Sequence, residues 1–166
     1  IISWNVNGLR AVAKKGFVEW IEKTSPDILC LQEIKAEEQQ LTDDVRYLGE
    51  YHSYFCSSKT KKGYSGVAIY TKEKPLDVRY GMGIKKFDDE GRILIAEYEH
   101  FVLLNIYFPN GGGGPERLQY KLEFYDCFLE HIEMLHKTTK KRIIFCGDVN
   151  TAHEEMDLAR PKENEK

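Results

Sequence analysis

Six short apolar runs rich in Ile, Val, Leu and aromatic residues set what this chain can fold into: residues 1–6, 28–32, 66–71, 93–98, 101–109 and 142–147. Each has the length of a buried or half-buried strand. Helical spacing occurs in two places. Val12, Gly16, Phe17, Trp20 and Ile21 mark a short amphipathic helix that Ser25-Pro26-Asp27 would stop. Leu118, Leu122, Tyr125, Phe128, Leu129, Ile132 and Leu135 align on one face of a longer helix over 115–137, and Pro115 suits its first turn. Strands that alternate with helices and then pair without them imply a mixed sheet with helices packed on it, so the fold class is α/β or α+β. The polar segment 85–91 reads as a turn joining strands. No internal repeat or interdomain linker interrupts the pattern, and 1–166 reads as a single domain.

The polar residues that close the apolar runs carry the functional information. Asn5 and Asn7, Glu33 and Lys35, Tyr107 and Asn110, and Asp148 and Asn150 each follow such a run. In three of these pairs the members are i and i+2, which extended chain places on one face. If neighbouring strands present these ends together, a pocket rich in carboxylates and amides forms at one rim of the sheet, a common place for ligands in such folds. Taken singly, each Asn or Asp is a turn residue whose side chain bonds nearby backbone. Four ends of the same character are harder to assign to turns. A Glu with an Asn, and no cluster of His or Cys, suits a hard cation bound through oxygen. Mg²⁺ fits, since it takes only one or two carboxylates and keeps several waters.

Charge and cysteine usage remove other classes. A formal charge of −3 and a pI near 6.0 exclude a uniformly basic nucleic-acid coat, although local patches remain. The stretch Lys59-Thr60-Lys61-Lys62-Gly63-Tyr64-Ser65-Gly66 has the character of a loop tracking a DNA backbone, and equally that of a solvated hairpin loop. Lys140-Lys141-Arg142 lies at the strand end opposite to Asp148 and reads as solvated. Cys30, Cys56, Cys127 and Cys146 make no C-x-x-C pair, which argues against a zinc site or a disulfide framework, and Cys30 and Cys146 read as small core residues of an intracellular protein. His153-Glu154-Glu155 lacks the second His of a zincin, and glycines 111–114 match neither a P-loop nor a dinucleotide fingerprint. His52, His100, His131 and His136 show no ligand spacing. No run reaches the roughly 18–20 apolar residues of a membrane span. The chain opens without Met on Ile1-Ile2-Ser3-Trp4 and stops in a charged tail, so both ends look cut.

Ser3-Trp4-Asn5-Val6-Asn7-Gly8-Leu9-Arg10, Leu31-Gln32-Glu33-Ile34-Lys35, Gly63-Tyr64-Ser65-Gly66, Tyr107-Phe108-Pro109-Asn110 and Gly147-Asp148-Val149-Asn150-Thr151-Ala152-His153 follow one another in a recognisable order and spacing. On these motifs the chain resembles the N-terminal part of the exonuclease III family of apurinic/apyrimidinic (AP) endonucleases, over nearly its whole length. Segment 154–162 is closer to the abasic-endonuclease branch than to relatives that hydrolyse lipid or inositol phosphates. The resemblance implies a four-layered α/β sandwich, two packed mixed sheets flanked by helices, incomplete here because the C-terminal part is absent. It implies a Mg²⁺-dependent DNA-repair phosphodiesterase, with Mn²⁺ as the alternative ion. Such an enzyme incises double-stranded DNA 5′ to abasic sites and has 3′-5′ exonuclease and 3′-phosphodiesterase activity.

Carried over residue by residue, the resemblance makes Glu33 a metal ligand with Asn5 beside it as a second ligand or an orienting group. Asp148 would activate or orient the attacking water, Asn150 would hold the water or the phosphate, and Tyr107 would contact the phosphate and stabilise the transition state. Asp148 and Asn150 are the candidates for a second ion. Asn7, Asn110 and Asn164 match positions lining the site, and Lys62, Tyr64 and Arg117 match DNA-contacting positions. The family's second half supplies a catalytic His, an Asp that holds it and an apolar wall of the abasic pocket. None of these is present, and His153 belongs to a different motif. The 166 residues alone are therefore expected to expose an apolar face and to be unstable or inactive. The implied protein is an intracellular monomer, cytoplasmic if bacterial and nuclear if eukaryotic, with no membrane partner. Two other readings stay open: another metal-dependent phosphodiesterase on the same scaffold, and a non-catalytic DNA-binding fragment.

Overall fold

In the computed structural model, which describes residues 1–161, the six apolar runs all become strands of two four-stranded sheets. The first sheet holds β1 (Ile2–Asn5), β2 (Ile28–Gln32), β3 (His52–Cys56) and β4 (Val67–Thr71) in the order β1-β2-β4-β3. β1 runs parallel to β2, with Asn5 opposite Gln32, and the other pairings are antiparallel. The second sheet holds β5 (Asp77–Tyr80), β6 (Ile93–Glu97), β7 (Phe101–Tyr107) and β8 (Arg142–Asp148) in sequence order. Its last pair is parallel and sets Tyr107 opposite Asp148. Both sheets are therefore mixed, as expected.

Period-two alternation along the strands divides the core into three. Leu29, Leu31, Ala68 and Tyr70 face outward onto Leu9 of helix α1 (Leu9–Ala13), Phe17 and Ile21 of α2 (Phe17–Thr24) and Val45 of α3 (Asp43–Arg46). Ile28, Cys30, Val67 and Ile69 face the other sheet and meet Leu94, Ala96, Tyr98, Leu103 and Tyr107. Ile95, Leu104 and Ile106 point out of the second sheet onto Phe87 of α4 (Lys85–Asp88) and Phe124, Phe128 and Leu135 of α5 (Pro115–Thr138). Helices, sheet, sheet and helices make the four layers.

One polar pair lies in the middle layer. Asn105 of β7 is fully buried. Its Nδ2 donates to Leu31 O at 3.0 Å and Ala68 O at 2.8 Å, and its Oδ1 accepts from Gln32 Nε2 at 2.8 Å. Gln32 Nε2 also reaches Ser3 Oγ at 3.1 Å and Cys30 O at 3.3 Å. The side chain of one sheet thus satisfies backbone of the other.

The departures from the sequence expectations have local causes. β3 and β5 are edge strands with a half-exposed or exposed pattern, so they lack the apolar run that marks the other six. The single helix expected before β2 is two helices, because Gly16 adopts φ +89° and breaks the chain between them. Segment 85–91 contains the helical turn α4, held by the buried ring of Phe87. α5 lies where expected, but Leu118, Leu122 and Leu129 are exposed. The core-facing stripe is Phe124, Phe128 and Leu135, and the adjacent stripe touches the core only through Tyr125 and Ile132. Ile144 and Phe145 on the edge strand β8 and Val149 just after it are exposed as well. Exposed apolar side chains are expected of this chain, and these are the ones on α5 and on or just after β8. Lys141, expected to be solvated, donates from Nζ to Glu97 Oε1 at 2.7 Å and to Tyr98 O at 2.6 Å. No described helix is long and apolar enough to cross a membrane.

Asn105→Leu removes the inter-sheet donors and leaves two buried carbonyls and the Gln32 amide short of a partner. It should destabilise the protein by about 2–4 kcal/mol, read as a lower urea midpoint with an unchanged slope. A midpoint equal to wild type would show that packing alone aligns the sheets.

Candidate active site

The strand ends converge because the chain leaves β1, β2 and β8 through tightly held turns. Asn7, Glu33, Lys35 and Asn150 have φ of 46°, 57°, 50° and 49°. These are left-handed conformations that cost a non-glycine residue on the order of 1 kcal/mol or more. The pairs expected to share a face through extended chain therefore do so through left-handed backbone. Backbone bonds hold them: Gly8 N to Glu33 O at 2.8 Å, Leu9 N to Ile34 O at 2.8 Å and Lys35 N to Ser65 O at 2.9 Å. Gly147 is required for the last strand. A Cβ there would lie 1.8 Å from Ile106 O, so only glycine lets β8 approach β7 closely enough to set Asp148 beside Tyr107.

Asn5 then bridges the two sheets. Its Nδ2 donates to Asp148 Oδ2 at 2.6 Å, and its Oδ1 accepts from Asn7 N at 2.9 Å. Lys35 Nζ donates to Asn7 Oδ1 at 2.6 Å and pairs with Glu33 Oε1 at 2.8 Å. The other oxygen of Asp148, Oδ1, accepts from Asn150 N at 2.9 Å, and Asn150 Nδ2 donates to Phe108 O at 2.8 Å. Burial pushes the Glu33 carboxyl up, but hydrogen bonds from Lys35, Asn5 and Tyr107 and the Lys35 charge outweigh it and hold it below the usual carboxylate range. Burial pushes the Tyr107 phenol up to about 12, the Glu33 charge adds to this, and the Arg92 guanidinium opposes it. At neutral pH, then, Glu33 is an anion and Tyr107 a proton donor.

Of the residues singled out from sequence, the structure gathers Asn5, Asn7, Glu33, Tyr107, Asp148 and Asn150 at one rim. Tyr64 and Arg117 meet each other, with Arg117 Nη2 donating to Tyr64 Oη at 2.8 Å. Lys62 and Asn110 are exposed near the rim's loops and are not drawn into the cluster. Asn164 lies outside the described residues. A groove lined by Gly8, Arg10, Lys14, Lys15, Lys35 and Gly63 opens beside the cluster, which it joins at Lys35.

Sequence reasoning missed the supports. Arg92 is buried and donates from Nη1 to Tyr107 O at 3.0 Å, from Nη2 to Tyr64 Oη at 2.9 Å and from Nε to Glu90 Oε2 at 2.6 Å. Glu90 also takes Arg117 Nη1 at 3.1 Å. On α5, Lys121 Nζ donates to Asn150 O at 2.7 Å, and the Tyr125 hydroxyl donates to Val149 O at 2.6 Å and contacts Thr151 Oγ1 at 2.8 Å. The Tyr125 ring stacks on Phe108 with centroids 4.9 Å apart. Together they clamp the turn that carries Asp148 and Asn150. Glu90 and Arg92 flank a glycine ahead of an apolar run, a pattern with no signal of its own.

The donor set is oxygen: one carboxylate at Glu33, another at Asp148 and the Asn5 amide. Among the described residues no group of three or more His, Cys, Asp or Glu could hold a metal. Few carboxylates at an open rim fit a hard divalent cation that keeps most of its waters, and do not fit a closed zinc cage.

The sequence matches the model of the endonuclease/exonuclease/phosphatase family over residues 2–166. The chain therefore belongs to that family, and the kinship with AP endonucleases read from its motifs holds. It is 45% identical, over 100% of its own length and 53% of the relative, to the DNA repair nuclease APEX1 of Danio rerio. It is 42% identical to an exodeoxyribonuclease of Bacillus subtilis (strain 168), covering 99% of this chain and 63% of the relative. A solved AP endonuclease from Archaeoglobus fulgidus superposes with a TM-score of 0.80 at 32% identity, over 97% of this chain and 61% of that one. The chain thus spans about half the length of the zebrafish relative and under two thirds of the other two.

The Glu90 carboxyl yields a pH prediction. Burial pushes it up, but hydrogen bonds and charge from Arg117 and Arg92 hold it below the usual range. A depressed carboxylate contributes stability that is complete above its unfolded value, roughly pH 4.3, and is lost as pH falls through the folded value. Glu90→Gln should therefore lower the urea midpoint at pH 6 and flatten its fall between about pH 4.5 and pH 3. A mutant that loses stability on acidification as steeply as wild type would show that Glu90 is not a source of that dependence.

Proposed function

We propose that this chain is the N-terminal part of a Mg²⁺-dependent DNA-repair nuclease that incises double-stranded DNA 5′ to abasic sites and also has 3′-5′ exonuclease and 3′-phosphodiesterase activity. The observation that carries the reading is the Asn5–Asp148 bond between sheets, with Glu33 and Tyr107 at the same rim. The names of the similar proteins, a DNA repair nuclease, an exodeoxyribonuclease and an AP endonuclease, support the substrate class.

Each side chain then has a task in phosphodiester hydrolysis. Asp148 is oriented by Asn5 on one oxygen and the Asn150 backbone N–H on the other, so its remaining lone pairs can take the proton of an attacking water. Tyr107, kept protonated, donates toward a phosphate oxygen as negative charge grows on it. Glu33 and Asn5 would hold Mg²⁺, or Mn²⁺, with Asp148 and Asn150 as candidates for a second ion. A cation there offsets charge on the phosphate and on the leaving oxygen. Asn7 and Asn110 would line the site, and Lys62, Tyr64 and Arg117 would meet the DNA backbone, with the Arg10, Lys14 and Lys15 groove continuing the track. We take the working protein to be an intracellular monomer.

The full-length protein is incubated with a duplex bearing one abasic site, in Mg²⁺ and in EDTA, and the products are resolved on a denaturing gel. Metal-dependent cut strands ending in a 3′ hydroxyl 5′ to the lesion, absent from intact duplex, are expected. Equal cutting of intact duplex would favour another phosphodiesterase, and binding without cutting a DNA-binding module. Asp148→Asn and Glu33→Ala should each lower the rate by about 10²-fold or more with circular dichroism and unfolding close to wild type. A wild-type rate in either removes that residue from the chemistry. Duplex affinity should fall by about 0.9 log unit per log unit of salt for each phosphate neutralised.

A further inference from the structure

We propose that Arg92 is a positioning residue that fixes the Tyr107 side chain and ties it to the DNA-facing pair Tyr64 and Arg117. The inference rests on the reading of Tyr107 as a phosphate contact.

Arg92 is 2% exposed, and a guanidinium cannot be buried cheaply. What surrounds it is specific. Nη1 donates to Tyr107 O at 3.0 Å while Tyr107 N donates back to Arg92 O at 2.8 Å, so the two residues are locked reciprocally at the end of β7. The guanidinium carbon lies 4.9 Å from the centroid of the Tyr107 ring and 5.6 Å from that of Tyr64, in cation–π contact with both. The Tyr107 ring is thus held by a cation against it and by its own backbone. Nη2 donates to Tyr64 Oη at 2.9 Å, which also accepts from Arg117 at 2.8 Å. Both lone pairs of the Tyr64 hydroxyl are engaged, and its hydrogen is left to donate to an incoming acceptor.

Charge makes the link directional. Glu90 binds both arginines, so one carboxylate faces two guanidiniums and the group keeps a net positive charge beside Tyr64. A phosphate drawn to Tyr64 and Arg117 therefore bears on the same guanidinium that orients Tyr107. Docking of the backbone and placement of the catalytic phenol share one rigid fork. Lysine keeps the charge and three donors but carries them on one nitrogen, so it cannot reproduce the planar fork that spans Glu90, Tyr107 and Tyr64.

The test is a double-mutant cycle in the full-length protein with Arg92→Lys, Tyr107→Phe and the pair, measuring kcat and KM on abasic duplex. Arg92→Lys should lower kcat by roughly 10–100-fold with a smaller change in KM. In the Tyr107→Phe background it should lower kcat no further, because the hydroxyl it positions is gone. Independent, multiplying losses would overturn the proposal and leave Arg92 a structural tie. A second readout does not depend on activity: Tyr107 carrying a ring fluorine should give one sharp ¹⁹F resonance in the wild type, and a broadened or second resonance in Arg92→Lys. An unchanged resonance overturns the positioning role. If Arg92→Lys fails to fold, Arg92→Gln, which keeps a donor but removes the charge and the planar fork, is read in the same two ways. Absence of incision by the wild type would refute the nuclease reading alone, since the resonance still tests the link.

Discussion

Apolar packing between two sheets is strong but has no direction, and strands buried only by Ile, Val and Leu could settle in more than one alignment. The Asn105 amide removes that freedom. Its three bonds to Leu31 O, Ala68 O and Gln32 Nε2 are made only when β7 lies across β2 and β4 in this position. Any slide would strand buried donors and acceptors at a cost comparable with a large part of a domain's net stability. Two residues further along β7 is Tyr107, and opposite Asn105's partner Gln32 is Asn5. The buried amide therefore aligns the strand ends that carry the proposed site. A shift of one residue along β7 would turn Tyr107 toward α5 and away from Glu33.

Strain at the rim is distributed rather than concentrated. Four side chains of the cluster or its immediate support sit on left-handed backbone, and each is secured from a different direction. Glu33 and Lys35 are held by chain from Gly8, Leu9 and Ser65, and Asn150 by Lys121 and its own bond to Phe108. The turns bring opposite charges into contact, Lys35 against Glu33, in a place where a cation can compete for the same oxygen. A site built this way is fixed before ligand arrives, which favours electrostatic stabilisation that needs no reorganisation.

The sequence reveals those parts of this fold whose signal is local. β1, β2, β4, β6, β7 and β8 each carry an apolar run, and the residues closing four of them, all but Asn110, are the ones found at the rim. β3 and β5 escaped because an edge strand needs only one apolar face, and His52-Ser53-Tyr54-Phe55-Cys56 does not read as a run. On α5 two apolar stripes lie side by side, and periodicity cannot say which one meets the sheet; Phe124 won over Leu118, Leu122 and Leu129. Arg92 was illegible for a different reason. Its partners Tyr107 and Tyr64 are 15 and 28 residues away, and only the packed sheets bring them within reach.

The rim residues also explain why the open side of the sandwich matters. Asn5 and Asp148 stand on β1 and β8, each at the edge of its sheet with a single strand partner. Edge strands present unpaired backbone and are usually protected, yet β8 exposes Phe145 at 54% and Ile144 at 37% beside it. Phe145 meets Phe128 of α5 in a T-shaped contact, with ring centroids 5.7 Å apart. The proposed nuclease would have one metal ligand, Asn5, and its general base, Asp148, on edge strands. Water would then screen the Asn5–Asp148 bond and the Glu33 charge unless further polypeptide lies against this side. Cover over β1 and β8 would therefore act on both the proposed site and the apolar side chains of β8, because Asn5 and Asp148 stand on these two edge strands.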